Sequence, residues 1–187
     1  MSKNSPKECV VRGRFTGGGI YQPRETDRGE KYSANVVLLD DKEAEKIRDI
    51  RQVALEEVFE GKVPKKLRDW TLRKGADEDF EASYGHLYIN AKSSADKKLP
   101  VLRRVEGKLE PTEDVYPGCY VNVSVTAFAY PGDAKKKIDP GVTLSLNAVM
   151  FWKDGERIGG GFDESSFDNF DSEADEESFG EEAEALL

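Results

Sequence analysis

Apolar and polar residues alternate at every second position in five stretches of the chain, and each predicts a strand with one covered and one wet face. Over residues 8–16, Val11 and Phe15 share one side and Arg12 and Arg14 the other, until Gly17, Gly18 and Gly19 break the run. Over 31–39, Tyr32, Ala34, Val36 and Leu38 alternate with Lys31, Ser33 and Asn35. A third strand over 84–91 sets Tyr84, His86 and Tyr88 against Leu87 and Ile89. The fourth, 120–130, turns Val121, Val123, Val125 and Ala127 inward and Tyr120, Asn122, Ser124, Thr126, Phe128 and Tyr130 outward. The fifth, 142–152, opposes Val142, Leu144, Leu146 and Ala148 to Thr143, Ser145, Asn147 and Phe151. Between the second and third strands the period lengthens. Asp40 followed by Glu43 forms a capping box, and Ala44, Ile47, Ala54 and Val58 keep helical spacing up to Gly61, which predicts a helix over 41–60. Pro64 then opens a short helix through Leu67 and Trp70, with loop from Gly75 onward.

Charge divides the chain in two. Residues 161–187 hold eleven Asp or Glu and no Lys or Arg, while the preceding residues hold all 28 bases against 26 acids, a net +2. The overall charge of −9 therefore conceals a mildly basic body, residues 1–160, which is long enough to bury a core without metal or disulfide staples. The remainder, 161–187, reads as a disordered, self-repelling acidic tail carrying Phe162, Phe167, Phe170 and Phe179 as docking hydrophobes. Cys9 and Cys119 are the only cysteines, without Cys-x-x-Cys spacing, which points to a reducing compartment and the cytoplasm. No apolar run suffices for a membrane span or a secretory signal.

Enzymatic chemistry finds little footing. His86 is the sole histidine, there is no Gly-x-Ser-x-Gly elbow, and the glycine triplet lacks the Gly-Lys-Ser/Thr ending of a phosphate-cradling loop. The expectation is no catalytic residue, no metal and no cofactor, with a metal-dependent nuclease built on paired carboxylates as the remote alternative. Rings and cations are arranged more suggestively. Tyr84, His86, Tyr88, Tyr120, Phe128 and Tyr130 occupy faces turned away from a core that valines already supply. Beside them stand Arg12 and Arg14 of the first strand, Tyr21, Arg24, Arg28 and Lys31 after the glycines, and two basic loops, one with Lys92, Lys97 and Lys98 and one with Lys135, Lys136 and Lys137. Rings that stack bases and cations that track phosphates together make a surface for a single nucleic-acid strand.

The stretches Gly13-Arg14-Phe15, Glu30-Lys31-Tyr32-Ser33-Ala34, Tyr84-Gly85-His86-Leu87-Tyr88-Ile89-Asn90-Ala91 and Tyr116-Pro117-Gly118-Cys119-Tyr120-Val121, with the acidic tail, resemble the phage-encoded single-stranded DNA-binding (helix-destabilising) proteins. That resemblance implies a mainly β OB-fold, a five-stranded Greek-key barrel with one main α-helix. It also implies DNA held across the sheet during replication, recombination or repair, and a tail that contacts a DNA polymerase or recombination protein; the tail's charge and its reach of roughly 28 Å as a flexible coil add the expectation that it competes with DNA for the basic surface. In this chain the implied tail residues are Phe170, Asp175, Glu176, Glu177, Phe179, Glu181, Glu182, Leu186 and Leu187; the Leu-Leu ending departs from the aromatic one common in the family. A homodimer is compatible with the reading. A single-stranded RNA binder and an adaptor working through the tail alone are the competing classes, separable by oligonucleotide competition and by salt-dependent binding.

Overall fold

Five strands follow one another into a closed ring. In the structure, a computed structural model describing residues 6–76 and 82–159, the elements run β1 (Glu8–Gly17), β2 (Lys31–Leu38), α1 (Asp41–Phe59), β3 (Arg68–Asp69), β4 (Arg73–Lys74), β5 (Leu87–Ser94), β6 (Val101–Val105), β7 (Lys108–Pro111), β8 (Tyr120–Tyr130) and β9 (Gly141–Lys153). β1 pairs antiparallel with β2, β2 with β5, β8 with β1 and β9 with β8. A parallel rung, Lys92 opposite Ser145, joins β5 to β9 and completes the circuit. Closure leaves few free edges, and this order is the OB-fold topology.

The period-two pattern has the expected sense. Val11, Ala34, Val36, Ile89, Ala91, Val121, Val123, Val125, Val142 and Val149 are fully buried, and Phe15, Leu144 and Leu146 nearly so. In α1, the Asp40 side chain accepts from the Glu43 N–H at 3.1 Å, and Glu60 ends the helix in the left-handed conformation at φ 48°. Its apolar face, Ala44, Ile47, Ile50, Ala54 and Leu55, packs on β8 and β1. Glu43 accepts from the Arg12 N–H at 2.8 Å and the Lys46 ammonium reaches the Val10 carbonyl at 3.3 Å, so the helix is pinned along the free half of β1. Cys9 and Cys119 are free thiols; burial, only partly offset by Lys46, pushes the Cys9 thiol up to about 11. No helix among the described residues is long and apolar enough to cross a membrane.

Three expectations fail, each for a tertiary reason. The expected helix from Pro64 to Trp70 is instead an extended strap: the Arg68 and Trp70 N–H groups donate to Pro140 and Val142 at 2.9 and 2.8 Å, making β3 a parallel partner of β9. The third barrel strand starts at Leu87, because Gly85 turns at φ 73° and puts Tyr84 and His86 before it; the strand instead runs on through Lys92 to Ser94. In β9 the register against β8 slips between Ser124 and Val125, so Val149 takes the buried place expected for Ala148. A bulge of this kind inserts one residue and reverses the phase of everything after it. Residues 101–111, for which the pattern predicts no element, form the β6–β7 hairpin, turned at Glu106 and Gly107 with φ of 47° and 84° and continuing the sheet from the far end of β9.

Candidate nucleic-acid interface

The strap, the barrel face and two loops enclose a groove of about 920 Å³. Its floor is the outward face of β5 and β9: Asn90, Lys92 and Ser94 from one, Thr143 and Ser145 from the other. Lys31 enters from the start of β2, opposite Ser94. The loop between β1 and β2 forms one rim. There the Thr26 hydroxyl bonds the Gly29 carbonyl at 2.6 Å and Gly29 turns at φ 87°, which brings Arg28 to the groove. Between β8 and β9, the Asp133 carboxylate accepts from the Lys135 and Lys136 N–H groups at 3.0 and 3.3 Å. Asp133 also bridges Ile138, and this tight loop presents Lys137 and Ile138 to the groove.

Two rings line the space. Tyr130, at the end of β8, stands where Gly141 leaves room: a Cβ there would lie 2.3 Å from the tyrosine hydroxyl. Phe128, 56% exposed, stacks on Tyr130 at 6.4 Å between centroids and extends the aromatic wall beyond the groove. Trp70 is carried by the strap, 38% exposed, with the Arg73 guanidinium 4.4 Å from its ring centroid. Arg68 is held by Asp139 at 2.9 Å. In contrast Arg28, Lys31, Arg73, Lys92 and Lys137 have no carboxylate within ion-pair distance among the described residues. Asp27 and Asp139 also line the hollow, so six cations face two carboxylates there, and the mutual repulsion of the excess cations is a cost that a polyanion relieves.

Asp69 anchors the strap. Its carboxylate accepts from the Thr71 hydroxyl and N–H at 2.6 and 3.0 Å and from Arg51 Nε at 2.5 Å. Burial raises this carboxyl, but the bonds from Thr71 and Arg51 outweigh burial and hold it below the usual carboxylate range. A carboxyl lowered by folding stabilises the anchored form above its unfolded value, near pH 4, and loses that contribution as pH falls through the lower folded value. With Trp152 replaced by Phe, Trp70 emission should therefore hold steady down to about pH 4 and change below it. Asp69→Asn should show the changed emission already at neutral pH; an emission identical to the parent's would remove Asp69 from the anchor.

Of the residues singled out by sequence, the groove gathers Arg28, Lys31, Lys92, Tyr130 and Lys137. Tyr88 sits beside it, opposite Arg73 in the β4–β5 pair. Arg24, Tyr84, His86, Lys97, Lys98, Lys135 and Lys136 are not among its lining residues. The Tyr21 hydroxyl is committed to the backbone of Val115, accepting at 2.8 Å and donating at 3.3 Å. Arg12, Arg14 and Tyr120 belong to the other end of the sheet, around Trp152. Phe170, Asp175, Glu176, Glu177, Phe179, Glu181, Glu182, Leu186 and Leu187 lie outside the described residues. Arg68, Trp70 and Arg73 escape the sequence pattern because two-residue strands show no periodicity; a ring flanked by cations was the available signal.

A barrel closed by one parallel rung, with its helix between the second and third barrel strands and a net-cationic groove walled by rings, defines an OB-fold module shaped for a flat, anionic polymer. The chain belongs to the family described as Enterobacter phage Enc34, ssDNA-binding protein, whose profile matches residues 9–180. Among solved structures, the fold is similar to the single-stranded DNA-binding protein from bacteriophage Enc34 in complex with ssDNA, at TM-score 0.64 and 18% identity over 84% of this chain and 97% of that one. It is also similar to gp2.5, a single-stranded DNA-binding protein encoded by bacteriophage T7, at TM-score 0.53 and 18% identity over 88% and 99% of the two chains. A protein designated p50 from Acyrthosiphon pisum secondary endosymbiont phage 1 is 33% identical over 90 residues, and the match spans 48% of this chain and 46% of that one.

Proposed function

We propose that this chain binds and coats single-stranded DNA through the groove, without catalysis, in the cytoplasm of a host cell during replication, recombination or repair. The observation that carries the reading is the meeting of five cations that have no ion-pair partner among the described residues with Trp70 and Tyr130 in one open groove. Cations follow the phosphates, and rings stack bases of any sequence. Membership in a family described by single-stranded DNA binding supports the same reading. Residues 1–160 are then the DNA-binding domain. The acidic segment 161–187 recruits replication or recombination proteins such as a polymerase, and competes with DNA for the domain's cationic surface. Rim residues Arg24, Phe128, Lys135 and Lys136 extend the path of the strand, and a homodimer would align two grooves.

A fluorescence titration with single-stranded DNA, duplex DNA and single-stranded RNA at two salt concentrations tests this. The single strand of DNA should bind tightest. If all five groove cations meet phosphates, affinity should fall with a log–log salt slope of about 3.5, at about 0.7 for each phosphate neutralised. Tighter RNA binding would move the protein to the RNA class, and salt-independent or absent binding would leave an adaptor.

A further inference from the structure

A second set of cations and rings lies at the far end of β9, beyond the groove. Arg12 lays its guanidinium over the Trp152 ring, 3.8 Å from the centroid, and donates from Nε to Asn122 at 2.8 Å. Arg103, Arg104 and Phe151 help to close a hollow of about 290 Å³ around them, and no acid is among its lining residues. The Lys153 ammonium stands 4.8 Å from the Tyr120 ring centroid and 4.6 Å from that of Trp152. Asp114 takes Arg103, but Arg12, Arg14, Arg104 and Lys153 have no ion-pair partner among the described residues. Arg14 donates instead to the carbonyls of Gly118 and Glu156, and Arg104 to that of Gly107. Guanidinium planes and aromatic faces stack unpaired bases, and cations without ion-pair partners take phosphates. The chemistry is that of the groove, repeated at a distance.

One strand joins the two surfaces. β8 starts at Tyr120, whose ring meets Trp152 edge-on at 6.3 Å, and ends at Tyr130 in the groove. Val121, Val123, Val125, Ala127 and Ala129 are buried without interruption, so the residues between them share one outward face from end to end. Asn122 on that face lines the far hollow and Tyr130 lines the groove. Eight residues, roughly 27 Å of strand, separate them. Phe128 carries the groove's rings onto this face, and Thr126 and Ser124 follow with short hydroxyl side chains. Asn147 donates to both hydroxyls, at 2.9 and 3.2 Å, and Ser124 donates to Glu8 at 3.0 Å. A nucleic-acid strand leaving the groove past Phe128 therefore crosses short polar side chains and arrives at Arg12 and Trp152. At about 3.4 Å per stacked nucleotide, the crossing takes roughly eight nucleotides.

We propose that the Arg12–Trp152 surface is a second contact for single-stranded DNA, reached by a strand that leaves the groove along the outward face of β8. The inference rests on the groove's proposed role and adds a length requirement: a short strand fills the groove alone, and a longer one engages both surfaces. The two tryptophans report the two contacts separately. Indole N–H resonances of the full chain are followed at low salt during titration with oligothymidylates of about 4 and about 16 nucleotides, the two ends of the range that one OB-fold covers, with Trp70→Phe assigning the peaks. The short oligomer should move Trp70 alone, and the long one both resonances. Arg104→Ser, which removes a side chain bonded only to the Gly107 carbonyl, should flatten the log–log salt slope for the long oligomer by about 0.7, and Arg12→Ser added to it by about 1.4 in all, with the slope for the short oligomer unchanged. A Trp152 resonance unmoved by the long oligomer while Trp70 moves overturns the inference and leaves groove binding standing. A Trp70 resonance unmoved by either oligomer takes down both. A Trp152 resonance that answers polyglutamate but not the long oligomer overturns the inference and makes this a docking surface for an acidic protein.

Discussion

Trp70→Ala should weaken single-stranded DNA binding by about 1–3 kcal/mol, roughly 5- to 150-fold, while the barrel stays folded. The ring is 38% exposed on a strap whose backbone rungs to Pro140 and Val142 do not depend on the side chain, so truncation removes a stacking platform rather than a core residue. Arg73 covers one face of the indole at 4.4 Å, which leaves the other for a base and polarises the ring. Trp70→Phe should recover most of the affinity, because a smaller π-face still stacks. Equilibrium titration beside a thermal melt reads both quantities; a folded Trp70→Ala protein that binds like the parent would place the strand elsewhere than under the strap.

Replacing Arg28, Lys31 and Lys92 together by Gln should flatten the log–log salt slope by about 2, since each cation that no longer neutralises a phosphate of a single strand takes away about 0.7. These three converge on one groove from the first loop, the start of β2 and the outward face of β5. Lys97→Gln with Lys98→Gln removes nearly as much charge from the loop after β5, outside the groove lining, and should leave the slope almost unchanged. Trp70→Ala should lower affinity without changing the slope, since stacking releases no counterions. Equal slope changes in the two sets of substitutions would mean that the protein holds DNA by its general charge and not by this groove.

Strand identity and face were legible in the sequence where a long element alternates without a bulge. Val121 to Ala127 alternate without interruption, and the buried face of β8 is the one that alternation marks. The capping box at Asp40 and Glu43 likewise announces the start of α1. Legibility stops where partners distant in sequence decide the conformation. Residues 67–70 carry no strand period, and they are extended because Arg68 and Trp70 find the carbonyls of Pro140 and Val142. The phase of β9 after Asn147 depends on a bulge against β8, a choice made by pairing and not by the β9 sequence itself.

The rings and cations divide in the same way. That rings and bases would share the wet faces followed from the sequence alone, because a core already filled by valines leaves alternate positions to solvent. The division of charge between body and tail followed too, since it requires only counting. Which cations meet depended on closure of the barrel. The Lys92–Ser145 rung brings β5 against β9 and gathers Arg28, Lys31, Arg73, Lys92 and Lys137 from five separate segments, while Arg12 and Arg14, equally basic in sequence, fall at the other end of the sheet beside Trp152. Local pattern sets which way a side chain faces; only long-range pairing sets what it faces.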